Sequence, residues 1–156
     1  MDYRDIANRI TSMSKNVLED VVVDLVDNFM SNFIEYFAYT VASNWDEVQY
    51  KLLEKRLEPT TENILSVLEE LSDKIDVGAS LESADDNTKR VVGGMLSLGI
   101  TLARRIRRDW LEKLTYENVV KQAEKRNMTE LLNYLRKYPK LTSKIIDWVR
   151  ERVVSQ

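Results

Sequence analysis

The chain has 156 residues without cysteine or histidine, which excludes disulfides, thiolate or imidazole metal sites, and Ser-His or Cys-His nucleophiles. A hydrophobic content of 44%, four glycines and two prolines favour a globular, all-α domain over a turn-rich β fold. The net charge of −3 conceals an asymmetry, because residues 1–88 carry seven Lys/Arg and 19 Asp/Glu whereas residues 89–156 carry 16 and seven. Either one half folds against the other, or a basic face meets an acidic partner.

Residues 15–43 are predicted to form the central helix of a bundle. Apolar residues recur there at helical spacing, at Val21, Leu25, Phe29 and Phe33. One narrow polar strip remains, comprising Asp20, Asp24, Asp27 and Ser31. So wide an apolar arc is typical of a central helix or of one covered by a second copy. Asn44 and Glu47 have capping-box spacing, so we expect Asn44 to cap the next helix.

Pro59 is expected to end that helix, and the "TTEN" segment to start another. The predicted inner face of this helix contains Ile64, Leu65, Leu68, Leu71 and Ile75. Gly78 is a candidate C-terminal stop. Residues 78–87, "GASLESADDN", are predicted as a loop, and as a hinge because the charge changes sign there.

The basic half is predicted to contain a long helix over residues 88–114, followed by shorter ones. Thr115, Thr129 and Thr142 each have the character of an N-cap, and Pro139 is expected to separate the last two helices. The pattern predicts about six or seven helices in a single-domain bundle covering residues 1–156.

The long basic helix carries the strongest candidate binding site. Its apolar side includes Gly99 and Ala103, small residues that permit close approach of another helix. The opposite side and its flanks carry what we call the basic ridge: Arg90, Arg104, Arg105, Arg107 and Arg108. Because arginine is suited to bidentate phosphate contact, these residues are candidates for nucleic-acid binding.

Intrahelical pairing is the competing interpretation of the basic ridge. Arg105 can meet Asp109 and Arg108 can meet Glu112, each pair contributing about 0.3–0.5 kcal/mol. Even with both pairs formed, Arg104 and Arg107 have no acid three or four residues away.

Three weaker patterns have ordinary structural interpretations. Two acidic rows could hold Mg²⁺ as in all-α nucleotide pyrophosphohydrolases, although surface solvation explains them as well: Asp20, Asp24 and Asp27, and Glu69, Asp73 and Asp76. Residues 128–153 begin like a helix-turn-helix unit, and in an alternative frame residues 116–126 form its first helix. The last helix is then expected to carry a mixed set of charges outward, which favours a packed surface helix: Lys144, Asp147, Arg150 and Glu151. Five aromatics could stack on bases but favour core or subunit packing: Tyr36, Phe37, Tyr39, Trp45 and Tyr50.

The sequence therefore predicts a non-enzymatic accessory protein that binds the DNA or RNA backbone through its basic half, with no catalytic residue, metal or cofactor. The alternative is a protein–protein adaptor or self-assembling subunit, in which the acidic half of one chain meets the basic half of another. Mg²⁺-dependent nucleotide hydrolysis is a minor third hypothesis. We expect a cytoplasmic protein, since no apolar run approaches a membrane span and the N-terminus lacks a secretory signal. We also expect a protein partner or a homo-oligomer.

Overall fold

A computed structural model of the protein describes residues 4–5, 8–9, 15–83, 86–87, 89–91, 93–94, 97 and 114–154. For residues 15–26, 29, 153 and 154 it describes the backbone but not the side chains. These residues contain helices and no strand, which confirms the all-α single-domain bundle. The segments are α1 Lys15–Asn44, α2 Asp46–Glu54, α3 Thr61–Glu70, a 3₁₀ turn Ser72–Lys74, α4 Val77–Glu82, α5 Tyr116–Lys125, α6 Thr129–Lys137 and α7 Pro139–Val154. With the 3₁₀ turn they number eight in the described part, slightly above the prediction.

The central position predicted for residues 15–43 is confirmed, because α1 packs against α2, α3, α4 and α6. Its core face contains Phe33, Ile34 and Phe37, each at most 2% exposed. Full burial of side chains of this size contributes about 1.5–3 kcal/mol each. The acidic and basic halves therefore share one core, with α1 at its centre.

Two predicted helix starts are confirmed by side-chain caps. The hydroxyl of Thr60 accepts a hydrogen bond from the backbone N–H of Asn63, and α3 begins at the next residue. Thr115 caps α5 in the same way, accepting from the N–H of Asn118. The predicted inner face of α3 and the turn after it is buried at all five positions: Ile64, Leu65, Leu68, Leu71 and Ile75.

Three predicted caps are wrong. Asn44 is the last residue of α1 and donates its side-chain N–H to the Thr40 carbonyl, so α2 begins after Trp45 without a side-chain cap. Thr129 is already inside α6. Thr142 lies inside α7, because Pro139 occupies the first position of that helix, where its fixed φ and missing N–H are tolerated.

Gly78 is not a helix stop, and residues 78–82 are not a loop. Asp76 accepts a hydrogen bond from the N–H of Ala79 and caps α4, which contains Gly78. A Cβ atom at Gly78 would lie 3.3 Å from Nε1 of Trp148, so the glycine permits close packing of α4 against α7. The hinge proposed for residues 78–87 stays a prediction.

The predicted long helix 88–114 falls largely outside the described residues. Residues 89–91, 93–94 and 97 are helical. The expected packing through Gly99 and Ala103 lies outside the described residues and stays a prediction.

Candidate functional site

One member of the basic ridge, Arg90, is among the described residues. It lies in a helical stretch, its side chain is exposed, and its Nη2 donates to Oδ1 of Asn87 at 3.2 Å. That partner is neutral, so this hydrogen bond leaves the charge of the guanidinium uncompensated. The other four residues lie outside the described part of the chain: Arg104, Arg105, Arg107 and Arg108.

Some of the other described cations of the basic half form ion pairs or hydrogen bonds, and others are exposed to solvent. Arg136 pairs with Glu124 at 3.1 Å and Arg150 with Asp147 at 3.2 Å, both within the basic half. Lys144 donates to the Ile75 carbonyl at 3.0 Å. Three further lysines are exposed and pair with no acid in the described residues: Lys121, Lys125 and Lys140.

Between described residues, the one ion pair that joins the two halves is long and exposed. Nζ of Lys137 lies 3.8 Å from the carboxylate of Glu62, whose side chain is 81% exposed. Exposed pairs of this kind contribute about 0–1 kcal/mol. In the described part of the chain, ion pairing between the halves therefore does little to neutralise the basic half.

Acidic side chains of the first half bind backbone N–H groups of the second half instead. Oδ1 of Asp27 accepts from the N–H of Leu131 at 2.8 Å, in the first turn of α6. The two carboxylate oxygens of Glu69 accept from the N–H groups of Lys140 and Leu141 at 3.0 and 2.8 Å, in the first turn of α7. Carboxylates are favoured there because the first N–H groups of a helix lack intrahelical partners and carry partial positive charge.

Other acids of the first half are neutralised by its own lysines. Lys74 pairs with Glu47 at 3.0 Å, and Lys51 with Glu70 at 3.6 Å. Glu70 also accepts a hydrogen bond from Lys55, and chiefly this bond lowers the pKa of the Glu70 carboxyl. Within the described residues, the lysines of the first half therefore pair mainly with acids of that same half.

The acidic residues Glu69, Asp73 and Asp76 do not share one helix face, and the side chains of Asp20 and Asp24 in the other row lie outside the described residues. Glu69 lies in α3, Asp73 in the 3₁₀ turn and Asp76 at the start of α4, so this row does not share one helix. Asp27 and Glu69 cap helices, as does Asp76. No group of three acidic side chains within the described residues has a geometry able to hold a metal ion.

The last helix of the proposed helix-turn-helix arrangement is packed into the bundle. Trp148 stacks on Phe33 of α1 with ring centroids 6.3 Å apart, and Arg152 lies over the Trp148 ring. Lys144, which we expected to point outward, is half-buried and bonded to Ile75. These contacts favour the packed surface helix over a reading helix for DNA.

Two tyrosines of the basic half are held by contacts with polar groups. The Tyr134 hydroxyl donates to the carboxylate of Glu35 on α1, and burial followed by this hydrogen bond raises the pKa of Tyr134 strongly. Tyr116 donates to the Leu135 carbonyl at 2.6 Å. Burial first, and then the charge of Glu69, raises its pKa.

The sequence reasoning missed an exposed apolar strip on α2, formed by Tyr50 and Leu53. Tyr50 is 66% and Leu53 77% exposed, although Val48 and Leu52 on the opposite side of the helix are buried. The signal was available, because apolar residues at both Val48/Leu52 and Tyr50/Leu53 cannot all face one core. Among the predicted aromatic residues, Phe37 is buried in the core whereas Tyr39 and Tyr50 are exposed.

A cleft of about 270 Å³ opens beside the end of α1, next to Trp45. Its charged lining residues are Lys74, which pairs with Glu47, and Asp76, which caps α4. Because both charged side chains are already bound to other groups of the protein, neither is available to orient a ligand in the cleft.

No protein-family model matches the chain, and neither curated proteins nor solved structures gave a match. In the described part of the chain, every helix is too short or too polar to cross a membrane.

Proposed function

We propose that this protein is a non-enzymatic accessory protein that binds the backbone of DNA or RNA through its basic half. The supporting observation is that the two halves pack together with little ion pairing between them in the described residues. The single ion pair between halves in the described residues is the exposed 3.8 Å contact of Lys137 with Glu62. A basic surface left open in this way favours binding to a polyanion.

The exposed lysine and arginine side chains of the basic half can form charged hydrogen bonds to phosphate oxygens. Lys121 and Lys125 lie one turn apart on the exposed side of α5, and the exposed Arg90 precedes the other arginines of the basic ridge in sequence. Contacts between these side chains and phosphate oxygens do not read bases, so we infer sequence-independent binding. We place the protein in the cytoplasm, where a cysteine-free chain and a nucleic-acid partner are compatible.

Salt-dependent binding tests this proposal. The protein is titrated into fluorescein-labelled 30-nucleotide mixed-sequence DNA duplexes, single-stranded DNA and single-stranded RNA between 50 and 300 mM NaCl, with anisotropy as the readout. If three or four duplex phosphates are neutralised, we expect log K to fall against log salt with a slope of about −3. Absence of binding to all three probes at 50 mM NaCl would refute the proposal.

Two single substitutions with the same charge change locate the surface. Arg90→Glu should weaken binding and flatten the salt slope by about one, because one phosphate contact is lost. Lys74→Glu reverses an exposed cation in the acidic half and should leave the slope unchanged. Equal weakening by both variants would mean that net charge alone controls binding, and would contradict a defined surface.

The ridge arginines are tested together. Arg104→Glu combined with Arg107→Glu should weaken binding and flatten the salt slope further than Arg90→Glu alone. Arg104→Lys combined with Arg107→Lys is the matched control, because it keeps the charge while removing the bidentate guanidinium. Unchanged affinity in the glutamate variant would exclude these two arginines from the surface.

A protein–protein adaptor or self-assembling subunit is the second candidate function, and the apolar strip of α2 favours it. Large exposed apolar side chains that lie together commonly mark protein contacts. The solution mass, measured at low and high salt with and without oligonucleotide, separates the two candidates. A mass that falls to that of one chain at high salt without oligonucleotide would support self-assembly through charge.

A further inference from the structure

The outer side of α2 combines apolar and acidic side chains in one row. Tyr50 lies one helical turn after Asp46 and one turn before Glu54, and all three are exposed. Leu53, the most exposed large apolar side chain in the described residues, lies beside them. This side is directed away from the core, because Val48 and Leu52 fill the opposite side.

The lysines of α2 and its C-cap form ion pairs with α3 and not with the acids of this row. Lys51 and Lys55 bind Glu70 of α3, on the side of α2 that faces that helix. Asp46 and Glu54 pair with no cation in the described residues. Arg56, beyond the end of α2, is the one nearby cation of the described part that is not held in an ion pair. The outer side of the helix itself is therefore apolar and acidic.

We propose that the outer side of α2 docks a basic amphipathic helix of a partner protein. Such a helix would place apolar side chains on Tyr50 and Leu53 and its Lys or Arg side chains against Asp46 and Glu54. Apolar anchors at helical spacing with cations at the rim are a recurring form of helix recognition. This inference does not depend on nucleic-acid binding, which uses the other half of the chain.

The size of the strip favours one docked helix over a second copy of the whole chain. Two side chains expose at most a few hundred Å² of apolar surface. A stable interface between whole proteins buries about 800 Å² on each partner. The strip therefore suits a single helix, whose flanking cations add electrostatic attraction.

Binding of a designed peptide tests the proposal. The probe is a fluorescein-labelled 18-residue helix with leucines on one face and lysines elsewhere, and its counterpart carries glutamate in place of lysine. We expect the lysine peptide to bind and the glutamate peptide not to bind. Leu53→Asn should weaken binding by roughly tenfold, because a large exposed apolar contact is lost without a change of charge.

A charge-matched pair of variants controls for non-specific attraction. Glu54→Gln should weaken the lysine peptide about threefold, and Glu82→Gln, which removes an exposed acid on α4, should not. Equal effects of these two variants, or full binding by Leu53→Asn, would overturn the proposal. A dimeric mass that becomes monomeric in Leu53→Asn would also overturn it, because the occupant would then be a second copy.

Nucleic-acid binding of the same variants separates the two proposals. Leu53→Asn should keep the affinity and salt slope of the unmodified protein for the DNA duplex. Arg90→Glu should keep the affinity for the lysine peptide. Either site can therefore fail its test while the other passes.

Discussion

Two residues at helix ends adopt a backbone conformation that suits glycine, and neither is glycine. Arg56 and Asn127 both have φ of 56°, after α2 and α5. In each case two backbone hydrogen bonds close the helix end, for example from Leu57 N–H to the Leu52 carbonyl and from Arg56 N–H to the Leu53 carbonyl. Asparagine tolerates this region better than arginine does, so the strain is greater at Arg56.

We expect Arg56→Gly to raise the free energy of unfolding by about 0.5–1 kcal/mol, because glycine adopts positive φ without a Cβ clash. This corresponds to an increase of about 2 °C in Tm for a chain of this size. Lys55→Gly is the control, since Lys55 has φ of −82° and gains nothing from glycine. A loss of stability in Arg56→Gly, measured by urea unfolding, would contradict the assigned end of α2.

At the scale of elements, the bundle is joined by caps that come from other helices. Asp27 of α1 binds the start of α6, and Glu69 of α3 binds the start of α7. Each cap satisfies N–H groups that would otherwise lack partners and fixes the position of one helix against another. These contacts hold α6 and α7 of the basic half against helices of the acidic half.

Glu69→Ala should therefore lower the free energy of unfolding by about 1–2 kcal/mol, as loss of a helix cap does. Glu62→Ala removes an exposed acid whose contact with Lys137 is 3.8 Å, and should change stability by less than about 0.5 kcal/mol. Both variants lose one negative charge, so net charge does not explain a difference. Equal effects in chemical denaturation would argue against the cap.

At the scale of the molecule, contacts between the halves also couple stability to alkaline pH. Burial and the hydrogen bond to Glu35 raise the pKa of Tyr134 above its ordinary value of 10.0. Because the pKa of Tyr134 is higher in the folded chain than in the unfolded chain, the stabilisation provided by its protonated hydroxyl is complete below about pH 10. It is lost as pH rises further, because the unfolded chain releases the proton first.

We expect the free energy of unfolding to fall from about pH 10 upward, and to fall less steeply in Tyr134→Phe. The variant should be less stable than the unmodified protein at pH 8, because the Glu35 carboxylate loses its hydrogen-bond donor. Tyr50→Phe, which removes an exposed hydroxyl, is the control. Urea unfolding at intervals from pH 8 to 11 gives the slopes, and parallel curves for Tyr134→Phe and unmodified protein would refute the coupling.

The sequence by itself determined the helical class, the central helix and the buried face of α3, because apolar periodicity reports directly which side of a helix is buried. It also determined caps that act within three residues, as at Thr60 and Thr115. It failed at Asn44, Thr129 and Thr142, where local cap chemistry was present but the helix continued or began elsewhere.

Only the tertiary structure decided what the acidic residues do and which apolar residues remain outside. Asp27 and the N–H of Leu131 are 104 residues apart in sequence, so no local pattern could join them. The close approach of Trp148 to Gly78 likewise depends on how α7 packs on α4. Periodicity finds the buried side of a helix, but whether a second apolar side such as Tyr50 and Leu53 is covered depends on the neighbouring helices that the fold provides.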